Sequence, residues 1–339
     1  MDKRSTIYQN IAMISSLDQM HDIRQQRPFK IFSGSSNTPL AQRIANHLGM
    51  PLGQALTTTF SDGEIRCEIR ENVRGHDVYV IQSTHNPCNT NIMELLIMGD
   101  ALKRASVRSA CAVIPYYGYA RQDRKAAPRT PISAKLVADL LTVAGYRRLI
   151  SVDLHAGQIQ GFFDFPVDHL FSMSVLYPHL QKAYGSQDVT VVSPDAGGME
   201  RARIMAKYLN VPLAMVDKRR SGPNEAKAMN LVGDVKGRVA IIVDDMVDTA
   251  GTLVQAIEFL KKSGATKVVA AFTHGVFSGP AYDRLKDSPI DEIVVTDTIP
   301  LNDSFKSLRN LTTITLGPLI AETISRIQRN DSVSALLDT

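Results

Sequence analysis

The run Val239-Ala-Ile-Ile-Val-Asp-Asp-Met-Val-Asp-Thr-Ala-Gly-Thr252 restricts what this chain can fold into more than any other segment. A β-branched apolar stretch ends in two carboxylates, then in a short Asp-Thr-Ala-Gly-Thr turn, and Leu253 to Lys262 follows with helical periodicity. That order reads as a strand, a loop and a helix N-terminus. Backbone N–H groups at such a terminus lack intrahelical partners and point outward, so they suit a phosphate. Gly251 lets the backbone approach an anion closely, and the Thr249 and Thr252 hydroxyls add donors. Asp244 and Asp245, expected where the strand ends at Val243, could accept hydroxyls of the same ligand, so one loop could hold both ends of a sugar phosphate. The competing reading is a solvated acidic loop followed by a helix cap.

Length and composition set wide bounds. The chain has 339 residues, enough for about two domains of ~150 residues each, and its 44% hydrophobic residues can fill two cores. No 18-residue apolar run occurs, so no transmembrane helix is expected. Residues 1–28 mix Lys, Arg, Asp and His without the apolar centre of a secretory signal and read as an N-terminal extension. Cys67, Cys88 and Cys111 are scattered without metal-ligand spacing, which fits a reducing cytoplasm. A net charge of +4 with no dense basic run argues against a nucleic-acid partner.

Apolar runs alternate with helical patterns along the chain. Candidate strands are 29–33, 77–82, 109–115, 149–152, 189–193, 214–216, 239–243, 267–273 and 292–296; candidate helices include 39–48, 91–105, 133–144, 199–208 and 253–263. Such alternation predicts an α/β fold with mostly parallel sheets flanked by helices. Ligands then bind beyond the carboxyl ends of the strands. The expected division is 29–170 and 171–339. A Walker A motif is absent, which excludes an ordinary P-loop kinase.

Five further loops carry chemistry-bearing residues. Ser193-Pro-Asp-Ala-Gly-Gly-Met-Glu-Arg201 follows a strand and opens a helix, and its paired glycines allow an anion nest. In Ser151-Val-Asp-Leu-His-Ala-Gly-Gln-Ile-Gln-Gly-Phe-Phe163, Asp153 and His155 should face the same side if both lie on a strand. Phe60-Ser-Asp-Gly-Glu64 reads as a turn before the alternating Ile65, Cys67 and Ile69. Pro115-Tyr-Tyr-Gly-Tyr-Ala-Arg-Gln-Asp123 leads into Arg124, Lys125 and Arg129, and Val216-Asp-Lys-Arg-Arg-Ser-Gly-Pro-Asn-Glu225 sets three cations after a strand. Each alone also reads as an ordinary solvated loop.

Together these strings resemble the ribose-phosphate diphosphokinase family, also called phosphoribosyl pyrophosphate (PRPP) synthetase, of the phosphate-activated bacterial type. The resemblance runs from about Lys30 to Ser332-Val-Ser-Ala-Leu336. It implies two phosphoribosyltransferase-like domains and transfer of the β,γ-diphosphoryl group of ATP to ribose 5-phosphate, giving PRPP and AMP. It implies ribose-5-phosphate contacts at Asp244, Asp245, Asp248, Thr249, Ala250, Gly251, Thr252 and Arg220, and a diphosphate loop at Asp195, Ala196, Gly197 and Gly198. ATP contacts fall on Phe60, Asp62, Glu64, Arg121 and Gln122; catalytic residues are Lys218 and Arg220; His155 and Asp195 match magnesium contacts. An imidazole is a weak Mg²⁺ ligand, so phosphate oxygens and water should hold most of the ion.

The resemblance further implies a homo-oligomer, typically a hexamer, activation by inorganic phosphate and inhibition by ADP, with Lys125, Arg129 and the 312–317 stretch where regulatory contacts would fall. Neither a membrane nor a nucleic acid is an expected partner. Two departures stand out: Ser221-Gly222 in the catalytic loop, and Gly275 after Thr273-His274, expected to lie away from the named loops. Rival readings are a non-catalytic regulatory relative, a phosphoribosyltransferase that consumes PRPP and a PRPP-sensing nucleic-acid binder. The intact Lys218, Arg220, His155 and Asp195 speak against the first, and the 151–163 and 60–64 strings against the second. The lack of a DNA-binding module weakens the third.

Overall fold

The computed structural model describes residues 28–219 and 228–336. It divides into two compact units. The first holds the described residues through Phe171 together with Thr298–Pro300 and the chain from Thr315; the second holds Ser172–Asp297 and Leu301–Ile314.

The first unit is built on a five-stranded parallel sheet. Its strands are β1 (Phe29–Ser33), β4 (Asp77–Ile81), β5 (Ser109–Ile114), β6 (Arg148–Val152) and β7 (Val167–Leu170), in the order β1-β4-β5-β6-β7. A separate antiparallel hairpin joins β2 (Ala55–Thr59) to β3 (Ile65–Ile69). Parallel strands require long crossovers, and helices α1 (Thr38–His47), α2 (Cys88–Arg104) and α3 (Ser133–Ala144) supply them. Ile92, Leu95, Met98 and Leu102 of α2 recur at helical spacing. They pack with Val137 and Leu141 of α3 against Val78, Val80, Ala112 and Ile114 of the sheet.

The second unit carries a seven-stranded sheet. Its members are β8 (Val189–Ser193), β9 (Leu213–Arg219), β10 (Ala228–Val232), β11 (Val239–Val247), β12 (Lys267–Gly275), β13 (Glu292–Thr296) and β14 (Leu311–Ile314), ordered β10-β9-β8-β11-β12-β13-β14. Only β9 and β10 pair antiparallel. Both faces are covered, so β11 reads as a continuous apolar run rather than an alternating one. Ala240 and Ile242 enter one core, while Val239, Ile241 and Val243 enter the other. Helices α4 (Met173–Tyr184), α5 (Met199–Leu209) and α6 (Gly251–Lys262) belong to this unit, as do the short α7 (Ala281–Lys286) and α8 (Asp303–Lys306).

One difference from the sequence expectations follows from pairing. β11 does not stop at Val243 but runs through Asp244 and Asp245 to Val247, because β12 continues beside it, with Asp244 opposite Phe272 and Val247 opposite Gly275. At the chain end, helix α9 (Gly317–Arg329) groups with the first unit. Leu319, Ile320 and Ile324 are buried on it, and Gln328 donates through Nε2 to the Tyr79 hydroxyl at 2.8 Å. Gly317 lies so close to α1 that an added Cβ would stand 3.1 Å from Arg43 Cβ.

Candidate active site

In the second unit the carboxyl ends of β8 and β11 bring two loops together. Asp244 and Asp245 sit toward the carboxyl end of β11, before Met246 and Val247, with Asp245 buried and Asp244 half-buried. Arg201, on the first turn of α5, donates through Nη1 to Asp244 Oδ1 at 3.1 Å and stands 3.8 Å from Asp245 Oδ1. Burial pushes the Asp244 carboxyl up to about 7; the neighbouring Asp245 charge adds to this and Arg201 opposes it. The Asp195 loop adjoins the pair, since a Cβ on Gly198 would stand 3.3 Å from Asp244 Oδ1.

The turn after β11 is shaped for an anion. Ala250 takes the left-handed conformation at φ 58° and precedes the first residue of α6, Gly251. The helix therefore begins two residues before the Leu253 expected from periodicity, which brings its N-terminus into the Thr-Ala-Gly-Thr turn. No side chain hydrogen-bonds the α6 cap. A non-glycine residue at positive φ stores strain of order 1 kcal/mol or more, and such strain gathers at functional loops. Asp248 accepts a hydrogen bond from the Ser278 hydroxyl, and the Thr249 carbonyl accepts one from Arg284 Nη1 at 2.8 Å.

The glycine pair at 197–198 differs from the open nest its sequence suggests. Asp195 Oδ1 itself accepts the Gly197 and Gly198 N–H groups, at 2.9 and 3.1 Å. Those donors are thus turned to the protein's own carboxylate, and Asp195 is exposed with its loop fixed. Gly275 also differs from expectation. It pairs with Val247, the residue before Asp248, and so lies beside the loop rather than away from it.

The first unit gathers the remaining strings. Phe60 to Glu64 form the tip of the β2–β3 hairpin: Phe60 N–H donates to Glu64 O at 2.7 Å, and Gly63 adopts φ 96°. Glu64 N–H donates to Asp62 Oδ1 at 3.1 Å, and the Phe60 ring is 50% exposed, which leaves it available to a flat partner. Arg121 and Gln122 follow β5. Gln122 is held by the Ser133 hydroxyl at 2.5 Å and by Ala134 N–H at 3.2 Å, while Arg121 is exposed. The loop after β6 meets this one where Gln158 Nε2 donates to Asp123 Oδ2 at 3.0 Å.

Asp153 and His155 do not share a side. β6 ends at Val152 and Asp153 turns to φ 39°, so strand alternation lapses; Asp153 is buried and His155 exposed.

Lys218 lies on β9 opposite Met229, but its side chain, like Arg220, Ser221 and Gly222, lies outside the described residues, as does the extension through residue 27. Among the described residues no group of three His, Cys, Asp or Glu side chains is gathered to hold a metal. No helix there is long and apolar enough to cross a membrane. Arg201, Ser278 and Arg284 receive no role from sequence alone. A cation in the first turn of a helix, where the dipole disfavours it, is the signal that singles out Arg201.

Comparison with known proteins places these features. Residues 29–145 match the model of the N-terminal domain of ribose phosphate pyrophosphokinase, and residues 170–338 match the phosphoribosyl synthetase-associated domain. The chain is 56% identical over 313 residues to the ribose-phosphate pyrophosphokinase of Caldanaerobacter subterraneus subsp. tengcongensis, covering 92% of this chain and 99% of that one. It is 53% identical over 307 residues to the same enzyme of Aquifex aeolicus, covering 91% and 98%. The crystal structure of phosphoribosylpyrophosphate synthetase from Mycobacterium smegmatis superposes with a TM-score of 0.85 at 43% identity, covering 90% of this chain and 100% of that one.

Proposed function

The chain belongs to the ribose-phosphate pyrophosphokinase family and is an enzyme that makes PRPP from ATP and ribose 5-phosphate, and we propose that it does so with the residues gathered at the strand ends described above. The observation that carries this assignment is the uncapped N-terminus of α6 behind a left-handed Ala250, with Asp244 and Asp245 on the strand that leads into it. The amides of Gly251 and Thr252, the Thr249 and Thr252 hydroxyls and the turn at Ala250 receive the 5-phosphate. Asp244, Asp245 and Asp248 take the ribose hydroxyls.

The transfer forms a bond between the anomeric oxygen of ribose 5-phosphate and the β-phosphorus of ATP. It breaks the bond from that phosphorus to the oxygen bridging it to the α-phosphorus, and AMP leaves with that oxygen. The hydroxyl proton must go to a base. A carboxyl raised to about 7 has a suitable proton affinity, which supports Asp244 in that role. Phe60 stacks on the adenine, Asp62 and Glu64 accept from the nucleoside, and Arg121 and Gln122 bind the nucleotide. Lys218 and Arg220 close over the transferred group and neutralise developing negative charge. Positioning and charge neutralisation supply most of the rate in phosphoryl chemistry.

Each expected magnesium contact is suited to the ion taken by itself: Asp195 offers an exposed carboxylate on a fixed loop of the second unit, and His155 an exposed imidazole in the first. A lone carboxylate with substrate phosphates and water is the usual Mg²⁺ environment. Bound there, the ion would neutralise phosphate charge. The family resemblance further supports a cytoplasmic homohexamer that is activated by inorganic phosphate and inhibited by ADP. It also supports the division into domains of 29–170 and 171–339.

A mass-spectrometric end-point assay with ATP, ribose 5-phosphate, Mg²⁺ and phosphate tests the reading. AMP and PRPP should appear in equal amounts; ADP or phosphate as the nucleotide product would overturn it.

A further inference from the structure

Four hydrogen bonds connect one segment of the second unit to three consecutive residues of the sugar-phosphate loop. Val276 and Phe277 both donate their N–H groups to Val247 O, at 2.9 and 3.2 Å. The Ser278 hydroxyl donates to the Asp248 carboxylate, and Arg284 Nη1 donates to Thr249 O at 2.8 Å. The next residue, Ala250, is the one held in the left-handed region. The gripping segment is itself held under strain: Phe277 takes φ 49°, and its ring stacks on Phe305 with centroids 4.1 Å apart. A bulky residue persists at positive φ only where its surroundings over-determine it.

The charge of Arg284 is on the unfavourable side. A Cβ on Gly251 would stand 3.1 Å from Arg284 Nη1, so the guanidinium sits against the positive end of α6. A cation there opposes the helix dipole. The same placement becomes favourable once an anion occupies the turn.

We propose that Ser278 and Arg284 are positioning residues for ribose 5-phosphate: Ser278 orients the Asp248 carboxylate, while Arg284 fixes the Thr249 peptide and adds a cation beside the 5-phosphate. The proposal rests on the assignment of the 244–252 loop to ribose 5-phosphate. Neither residue needs to touch a reacting atom.

The test compares Arg284→Met, Arg284→Lys, Ser278→Ala and Gly251→Val in the full chain. Steady-state kinetics are combined with calorimetry of ribose 5-phosphate and thermal unfolding with and without it. For Arg284→Met, the ribose-5-phosphate KM and dissociation constant should rise about tenfold, the loss expected for one hydrogen bond from a charged donor. The KM for ATP should stay within about twofold, and the unliganded melting temperature should hold. Arg284→Lys should recover part of the loss by restoring the charge without the planar fork. Ser278→Ala should show a smaller rise.

An unchanged ribose-5-phosphate KM in Arg284→Met overturns the proposal. So does an equal loss for both substrates with a lowered melting temperature, since that is what a merely structural residue would give. Gly251→Val separates the two readings. If it binds ribose 5-phosphate as the parent does, the loop assignment fails. If it loses binding while Arg284→Met keeps it, only the positioning role fails.

Discussion

Arg201 donates to Asp244 at 3.1 Å from the first turn of the helix that the Asp195 loop opens. The guanidinium therefore supplies counter-charge to a carboxylate crowded by burial and by Asp245. Below about pH 7 Asp244 carries a proton; above it the ionised form can accept ribose hydroxyls. Affinity for ribose 5-phosphate should thus improve as pH rises through that value. Arg201→Met removes the influence that lowers the Asp244 pKa, so the midpoint should move to higher pH. Calorimetric titrations across the range from about pH 5.5 to about 9 would show it; an unmoved midpoint would separate Arg201 from this titration.

The same shift has a stability consequence. The ordinary aspartate value is 3.8 and the folded value is about 7. Between them the native state holds a proton that the unfolded chain has released. Unfolding free energy should therefore fall as pH rises across that window. Asp244→Asn should flatten the slope and be the more stable protein, relative to the parent, at its alkaline end. Denaturant melts of the unliganded protein at paired pH values would check this; parallel curves for both proteins would contradict it.

Lys218→Ala should reduce turnover about a hundredfold or more, the scale of removing one electrostatic donor in comparable sites. Ribose-5-phosphate binding should change little. Turnover within a few-fold of the parent would remove Lys218 from the transfer step.

Asp248→Ala removes the carboxylate that Ser278 orients. It should raise the ribose-5-phosphate KM by about tenfold or more while leaving the ATP KM nearly constant. A constant ribose-5-phosphate KM would argue against its contact with the sugar.

Phe60 is half exposed on a hairpin tip, so Phe60→Ala should cost no more than about 0.5 kcal/mol of stability. Loss of adenine stacking should nonetheless raise the ATP KM several-fold, in line with the roughly 1 kcal/mol of an aromatic pair. A melt together with an ATP titration distinguishes the two effects.

What the sequence made legible follows the physics of each element. The interior strands β8 and β13 read directly, because they are buried on both faces and are dominated by β-branched residues. The end of β11 did not, since carboxylates read as loop while ladder pairing with β12 carried the strand on to Val247. The edge strands β7 and β14, Val-Asp-His-Leu and Leu-Thr-Thr-Ile, are too short and polar to stand out. Motif strings pointed to Asp244 to Thr252 and Asp195 as expected contacts. Arg284 and Ser278 come from beyond the following strand, and no local pattern marks a side chain that acts on another segment's backbone. The expectation for Asp153 and His155 failed on one dihedral angle, at Asp153.

The placement of α9 has a bearing on how the protein is made. Synthesis runs in chain order, yet the helix that packs beside α1 is nearly the last to emerge. Gln328 and Tyr79, joined through their side chains, are 249 positions apart. Closing so long a loop is slow and entropically costly. Until it closes, α1 lacks the helix that lies against Arg43 in the finished protein. The first unit therefore waits through translation of the second for its last helix, and its two ends come together only once the chain is nearly whole.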